Sequence, residues 1–592
     1  TNGRRFSLRL FRFHGSEVVI ATALVASLAI LTSSAHSVQG QPDPVRSRPP
    51  MTAVPFATTG SLARQMNLDP GKLYAPLVPE NETLADTNLY PPGFRDFYDL
   101  LILHNARYAE DDNFTLRVID NASGKVLDRH ILTDARSAFL ATGSADWDRV
   151  DQKRRAAMRG LLDKFERRGY RRSNLTITWG RLNQVFESRK RAEPFLAYEL
   201  RLARMHRLSA LSTELSTVET FNQDWLISTA GARGRYQFMP DYTTRFGLHR
   251  FKVNSSTGQV YWVREERHPL LTMEYAFMIM RAYSNTVGHE LPGLSAYNTG
   301  VGNIFNVCRL YLMRERPNPD SASVFDAYAW AVTTGFDEVR RQSTFKRQSR
   351  AYLPSVVAAY RAVEHVPVDL SRTMRTELVT MRRGASITLV EMLEILKKHD
   401  LDWTPYDSTS IYEAFRSFNS HIELPRPPSS GRVPNGANLK LANPSRTLSL
   451  RFFLPIGSTE ILKKAGKNVF DEEAQRIFDD NTYADPAETH QKSLLDWEYE
   501  RLVARIGRFG FTKEIRARLF EIAEQMEKLA EAKPTPYRRS QAIIAGMHKR
   551  LWSYGPWVKL EQAVSQTRNI HDVELRQADS LPADEESSED TP

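Results

Sequence analysis

Apolar positions recur at helical spacing through much of the chain. Leu208, Leu211, Leu215 and Val218 are separated by three, four and three residues, which predicts one stripe of an α-helix. Glu219 follows directly, so this helix delivers a carboxylate to the edge of whatever the stripe packs against. The same reading predicts helices over Phe97 to Tyr108, over Trp147 to Arg168, over Leu271 to Tyr283 with a Met-rich face, and through Tyr328 to Val363. The basic run Lys153, Arg154, Arg155 and Arg159 reads as a solvated face. A helix capped by Thr512 repeats Ile515, Leu519, Ile522, Met526 and Leu529 at four and three, and Pro534 stops it.

Strand signals are fewer. Phe114 to Leu132 alternates around Asn121 to Gly124, and Phe251 to Arg264 around Ser256 to Gly258, so each predicts a hairpin. Between them, Gly231 to Pro240 is a glycine-bearing turn leading into a short helix. After residue 370 the pattern turns mixed: a strand at Glu377 to Met381, helices at Leu389 to Lys398 and Tyr412 to Phe418, and a strand at Asn438 to Leu441. This β-α-α-β order is interrupted by the Pro425 to Gly431 loop.

The ends read differently from the body. Four arginines precede the uncharged stretch Val18 to Leu31, and small residues follow around Ala35 and Ser37, the pattern of a secretory signal peptide over 1–37. As a helix that stretch rises only about 21 Å, short of a bilayer core of about 30 Å. An uncleaved anchor in the inner membrane is the alternative. Residues 38–95 form a Pro-rich linker, 96–190 a mainly helical N-terminal region, 446–578 a helical C-terminal region, and 579–592 an acidic disordered tail.

Composition narrows the function classes. A length of 592 residues with 41% apolar and 25% charged positions excludes a wholly disordered or polytopic membrane chain and allows roughly three or four domains. The formal charge is +10. Setting aside the +3 of the first forty residues and the −6 of the last fourteen leaves a body of +13. Such a body favours polyanions, whether nucleic acid, anionic lipid headgroups or an acidic cell-wall polymer, and an export signal lowers the nucleic-acid reading. The single cysteine, Cys308, allows no internal disulfide and reads as a buried small hydrophobe. No P-loop, HExxH, paired CxxC or GxSxG element is present.

Three blocks carry chemistry: Glu219-Thr220-Phe221-Asn222; then Gly231-Ala232-Arg233-Gly234, continuing through Gln237-Phe238-Met239-Pro240; and finally Ala296-Tyr297-Asn298-Thr299-Gly300-Val301-Gly302. In this order and at these separations they resemble lytic transglycosylases of the lysozyme-like superfamily, the glycoside hydrolase family 23 type. The likeness is greatest to the membrane-bound lytic murein transglycosylase D branch. Ala192 to Phe195 and Arg350 to Pro354 resemble segments flanking the catalytic core of that branch. The resemblance covers about residues 190 to 365. It implies a mainly α fold: a lysozyme-like catalytic domain over 191–368, a LysM-like α+β module over 369–445, and the helical regions on either side.

The resemblance implies an exported enzyme that cleaves the β-1,4 bond between N-acetylmuramic acid and N-acetylglucosamine in peptidoglycan and leaves a 1,6-anhydromuramoyl end. It needs no metal and no cofactor. Hydrolytic glycosidases use two carboxylates, whereas only Glu219 is placed by the motif, and Asp224 reads as solvent-facing in a loop. A single carboxyl suffices if the C6 hydroxyl of the substrate closes onto C1, with Glu219 acting as acid and then as base. Thr220 would hold the Glu219 region or form a local cap. Gln237 and Asn298 would meet acetamido groups, Met239 would form an apolar wall, and Tyr297 would donate its phenol to Glu219 or to the developing charge. Arg235 departs from the apolar residue usual after the second glycine. It would either engage peptide carboxylates of the substrate or mark a site that binds glycan without cleaving it. The expected partners are peptidoglycan strands and other envelope proteins, with no nucleic acid. Two rivals stand beside this expectation: a non-catalytic peptidoglycan scaffold and a water-using muramidase.

Overall fold

The computed structural model describes residues 57–70, 73, 94–120, 126–255, 257–407, 409–427, 433–434, 437–471, 475–477, 494–533 and 535–579. The signal segment 1–37, most of the Pro-rich stretch 38–95, the turn 121–125 and the acidic tail beyond Asp579 lie outside the described residues. The chain is mainly helical, with 59% helix against 11% strand, as the mainly α expectation requires. Among the described residues, no helix is long and apolar enough to cross a membrane.

The described residues fall into two compact units, one within Glu110–Leu182 and the other within Phe56–Ala109 and Asn183–Pro592. In the first, strands Thr115–Asp120 and Val126–Ile131 pair antiparallel, as the alternation predicts. Leu175–Trp179 adds a third strand on the other side, which the sequence reading missed. The helix Trp147–Glu166 starts at Asp146, whose carboxylate accepts the Arg149 N–H at 3.1 Å. It buries Leu161 and Phe165 against Leu116, Val118 and Leu175. Arg154 departs from the solvated face expected of its basic run. It is buried, and its Nε donates to the Asn113 carbonyl at 2.9 Å, so the guanidinium satisfies a backbone acceptor inside the unit.

The second unit is built around the helix Pro269–Val287, which is buried on nearly every side. The helices Glu290–Thr299, Leu494–Ile506 and Pro536–Trp552 pack on it. It ends at Gly288 in the left-handed region (φ 79°), where a Cβ would stand 2.1 Å from the Gly507 nitrogen. Two glycines therefore let the C-terminal helices approach the end of the central helix backbone to backbone. The join is polar as well as close: Arg281 donates to Glu500 at 2.6 Å, and the Asn285 amide to the Tyr499 hydroxyl at 3.2 Å. Cys308 is 1% exposed on Val301–Glu315, in the same core.

Three local expectations are corrected here. The 208–218 stripe is not one α-helix. Leu196–Met205 ends before Arg207, which turns left-handed (φ 53°). A 3-10 turn over Ala210–Glu214 then leads into the short helix Leu215–Thr220. After 370, the strand Thr376–Thr380 pairs with Arg451–Leu454 and Gln475–Ile477, while Lys440–Leu441 pairs with Ile387–Thr388. The two outer strands of the expected β-α-α-β unit thus belong to different sheets. The Thr512-capped helix runs Lys513–Ala532 and packs on Pro536–Trp552, but Leu529 stays 41% exposed at its end.

Candidate active site

Glu219 is the next-to-last residue of Leu215–Thr220. The chain then passes through two left-handed residues, Phe221 (φ 52°) and Asn222 (φ 58°). Such a conformation is costly for a bulky side chain, and local bonds hold it in place. The Phe221 N–H donates to the Thr217 carbonyl at 3.0 Å, and Arg191 donates to the Phe221 carbonyl at 3.0 Å. The Asn222 amide donates to the Ser188 hydroxyl at 2.8 Å. Thr220, expected among the substrate-binding residues, is 2% exposed and bonded internally. Its hydroxyl donates to the Arg235 carbonyl at 3.0 Å, tying helix to turn, and it accepts the Gln223 N–H at 3.2 Å as a local cap.

Around the half-buried Glu219 carboxyl the contacts are phenolic. Tyr352, from the helix Arg347–Val363, donates to Oε1 at 2.6 Å. Burial pushes the Glu219 carboxyl up to about 7, and the Tyr352 hydrogen bond opposes that rise without cancelling it. Among the described residues, no charged group contributes to the shift. Burial and then the nearness of Glu219 hold the phenols of Tyr297 and Tyr352 well above their ordinary value, so both remain donors.

Tyr297 is placed beside Glu219 but spends its proton elsewhere. Its hydroxyl donates to the Tyr236 carbonyl at 2.7 Å, which corrects the expectation that it would donate to Glu219. Tyr352 takes that role. It was visible only as part of the Arg350 to Pro354 string, 133 residues from its partner, with no local spacing to connect them. Gln237 is left-handed (φ 51°), and its amide donates to the Gly234 carbonyl at 2.8 Å, closing the turn. Asn298 is half-buried, and its amide has no hydrogen-bond partner among the described residues. Met239 is 40% exposed, and Trp225 (56%) and Ile227 (43%) add further exposed apolar surface on the same loop region.

The turn itself is fixed by contacts that the sequence did not reveal. Gly234 (φ +74°) lies so close to the Glu266 carbonyl that a Cβ would stand 2.2 Å from its oxygen. Arg235 is 2% exposed and pairs with Asp224, Nε to Oδ1 at 2.8 Å, while its guanidinium stands 5.0 Å from the Phe195 ring centroid. This corrects two expectations, because Asp224 is an internal counter-ion and Arg235 is no surface charge waiting for substrate. Next to it, Tyr236 donates to Glu199 Oε1 at 2.7 Å inside the core. Among the described residues, no group of three or more His, Cys, Asp or Glu is placed to hold a metal ion. A comparison with protein-family models found no match, and a search of curated proteins found none either.

Proposed function

We propose that the chain is an exported peptidoglycan lytic transglycosylase with a lysozyme-like catalytic domain, acting in the periplasm or at the inner membrane on glycan strands. The observation that carries this reading is a half-buried carboxyl raised to about 7, hydrogen-bonded by one phenol and free of charged influence. At neutral pH a substantial fraction of such a group is protonated, as a general acid must be.

In the proposed reaction Glu219 gives its proton to the glycosidic oxygen between N-acetylmuramic acid and N-acetylglucosamine, and the C1–O bond breaks. The carboxylate then accepts the proton of the C6 hydroxyl as that oxygen bonds to C1. Glu219 is thereby reprotonated, no water is consumed, and a 1,6-anhydro end results. Tyr352 steadies the carboxylate phase through a hydrogen bond to the charged form. Thr220 and the Asp224–Arg235 pair hold the turn against the helix that carries Glu219. Asn298, whose amide has no hydrogen-bond partner among the described residues, and Met239, 40% exposed, are open to a sugar.

Two features weigh against the rivals. The burial of Arg235 removes the charge that favoured a non-catalytic scaffold. Asp224 and Glu214, the two acids nearest in sequence, are paired with Arg235 and Arg189 rather than held as a second catalytic carboxylate. Digestion of purified sacculi tests all three readings. Anhydro-muramoyl products that disappear in Glu219→Gln support the proposal, reducing ends point to a muramidase, and no release at all points to a scaffold.

A further inference from the structure

The hairpin of the second unit has two faces of opposite character. Strands Arg250–Asn254 and Val260–Arg264 pair antiparallel, with Arg250 opposite Arg264, Lys252 opposite Trp262 and Asn254 opposite Val260. Alternation along each strand sends Phe251, Val253 and Val263 into the core, where all three are buried. The other face therefore carries Arg250, Lys252, Trp262 and Arg264 together.

Three cations converge on one indole. The Arg250 guanidinium carbon, the Lys252 Nζ and the Arg264 guanidinium carbon stand 5.1, 4.9 and 5.4 Å from the Trp262 ring centroid. A ring quadrupole attracts a cation but carries no net charge, so the indole gathers these charges without neutralising them. Glu423 offers the nearest compensation, and it is shared: it accepts from Arg264 at 3.0 Å and from Arg267 at 2.5 Å. Arg250 and Lys252 are exposed, and among the described residues neither has a carboxylate within ion-pair distance. The crowding is felt at Arg264. Burial and then Arg267 and Arg250 pull its guanidinium below the ordinary value, against the opposing pull of Glu423 and Glu266.

This face is also held rigid. The Arg264 N–H donates to the His421 carbonyl at 2.8 Å, and the Glu423 N–H to the Trp262 carbonyl at 2.9 Å, so the 421–423 segment extends the hairpin edge. A fixed group of cations around an aromatic ring, of which the exposed Arg250 and Lys252 have no carboxylate partner among the described residues, suits repeated carboxylates on a polymer, which supply charge and acceptors for those donors.

We infer that the Arg250–Lys252–Trp262 face docks the carboxylate-bearing peptide stems of the cell-wall polymer, an inference that rests on the function proposed above. The test is sedimentation of the full chain with purified sacculi, in a Glu219→Gln background so that the polymer is not consumed. Arg250→Gln/Lys252→Gln should weaken binding about tenfold at low salt and flatten its salt dependence. The thermal midpoint should stay in place, because both side chains are exposed. Converting the sacculus carboxylates to amides should cost the parent chain the same factor and the double variant nothing more. Equal binding of parent and double variant to native sacculi would overturn the inference. So would a loss seen only on phosphatidylcholine–phosphatidylglycerol vesicles, since that would make phosphate headgroups the partner. The proposed reaction fails separately, if the wild-type chain releases no anhydro ends while hairpin-dependent binding persists.

Discussion

Glu199 and Glu219 place the same pair of groups in two settings. Each carboxyl accepts a short hydrogen bond from a tyrosine, Glu199 from Tyr236 at 2.7 Å and Glu219 from Tyr352 at 2.6 Å. Burial raises each to about 7. Their surroundings differ. Glu199 is 0% exposed on Leu196–Met205 and sits among charges: Arg235 and Arg189 favour its ionised form and Glu214 opposes it. Glu219 has an open side and no charged influence. A raised carboxyl pKa alone therefore does not identify a catalytic acid, because burial in the core raises one as readily, even against nearby arginines. Access and the absence of a fixed counter-charge separate the two.

The sharpest way to break this comparison is to neutralise each carboxyl in turn. Glu219→Gln should lower release of anhydro-muramoyl products by about 10³-fold, the usual scale for losing a general acid. Glu199→Gln should leave the rate within a few fold, since its amide oxygen can still accept from Tyr236. Equal losses in both, read by product analysis of digested sacculi, would mean that Glu199 takes part in the reaction or that the site collapses with the core.

Next in size is the counter-charge that only Glu199 possesses. Arg235→Leu leaves Asp224 without its partner and removes a cation beside Glu199, and breaking such a buried pair costs about 3 kcal/mol. Chemical denaturation should show that loss. A variant as stable as the parent would mean that the Asp224–Arg235 bridge does not fix the turn.

Much of the scaffold for this comparison was legible in the sequence. The spacing of Leu208, Leu211 and Leu215 placed them inward, all at 2% exposed or less, although the backbone there is not one helix, and the three blocks singled out Glu219 as the candidate. The break at Arg207 was not legible, since a left-handed non-glycine residue leaves no periodic mark. Nor was the Gly288–Gly507 approach, which joins positions 219 residues apart. Tyr352 was hidden for the same reason: hydrogen-bond partners across a fold have no fixed spacing. Arg235 was misread because a charge in an apolar slot suggests exposure until its counter-ion is known, and Asp224 precedes it by eleven residues across an irregular turn.

A smaller effect separates the two phenols. Tyr352 bonds the charged form of Glu219 and so restrains its rise. Tyr352→Phe should lift the carboxyl further and move the alkaline limb of the rate profile up by about one pH unit. Tyr236→Phe should leave that limb in place and act on stability instead. If Tyr352→Phe moved the limb downward, the bond would be favouring the neutral acid, and Tyr352 would not serve the carboxylate phase of the proposed reaction.

A last effect concerns stability against pH, where the two carboxyls should behave alike. Each has a folded value near 7, above the ordinary carboxylate value of 4.5. Between those values the folded chain binds the proton more tightly than the unfolded chain does. Stability is then greatest at the acid end of the window, falls as pH rises through it, and levels off above about 7. A glutamine at either position removes a group that opposes folding once ionised, so each variant should gain thermal midpoint relative to the parent at pH 8 and much less at pH 5. Equal folded values predict gains of similar size at the two positions. A gain at one position only, read from thermal midpoints at pH 8 and pH 5, would mean that the other carboxyl is not held up near 7 in the folded chain.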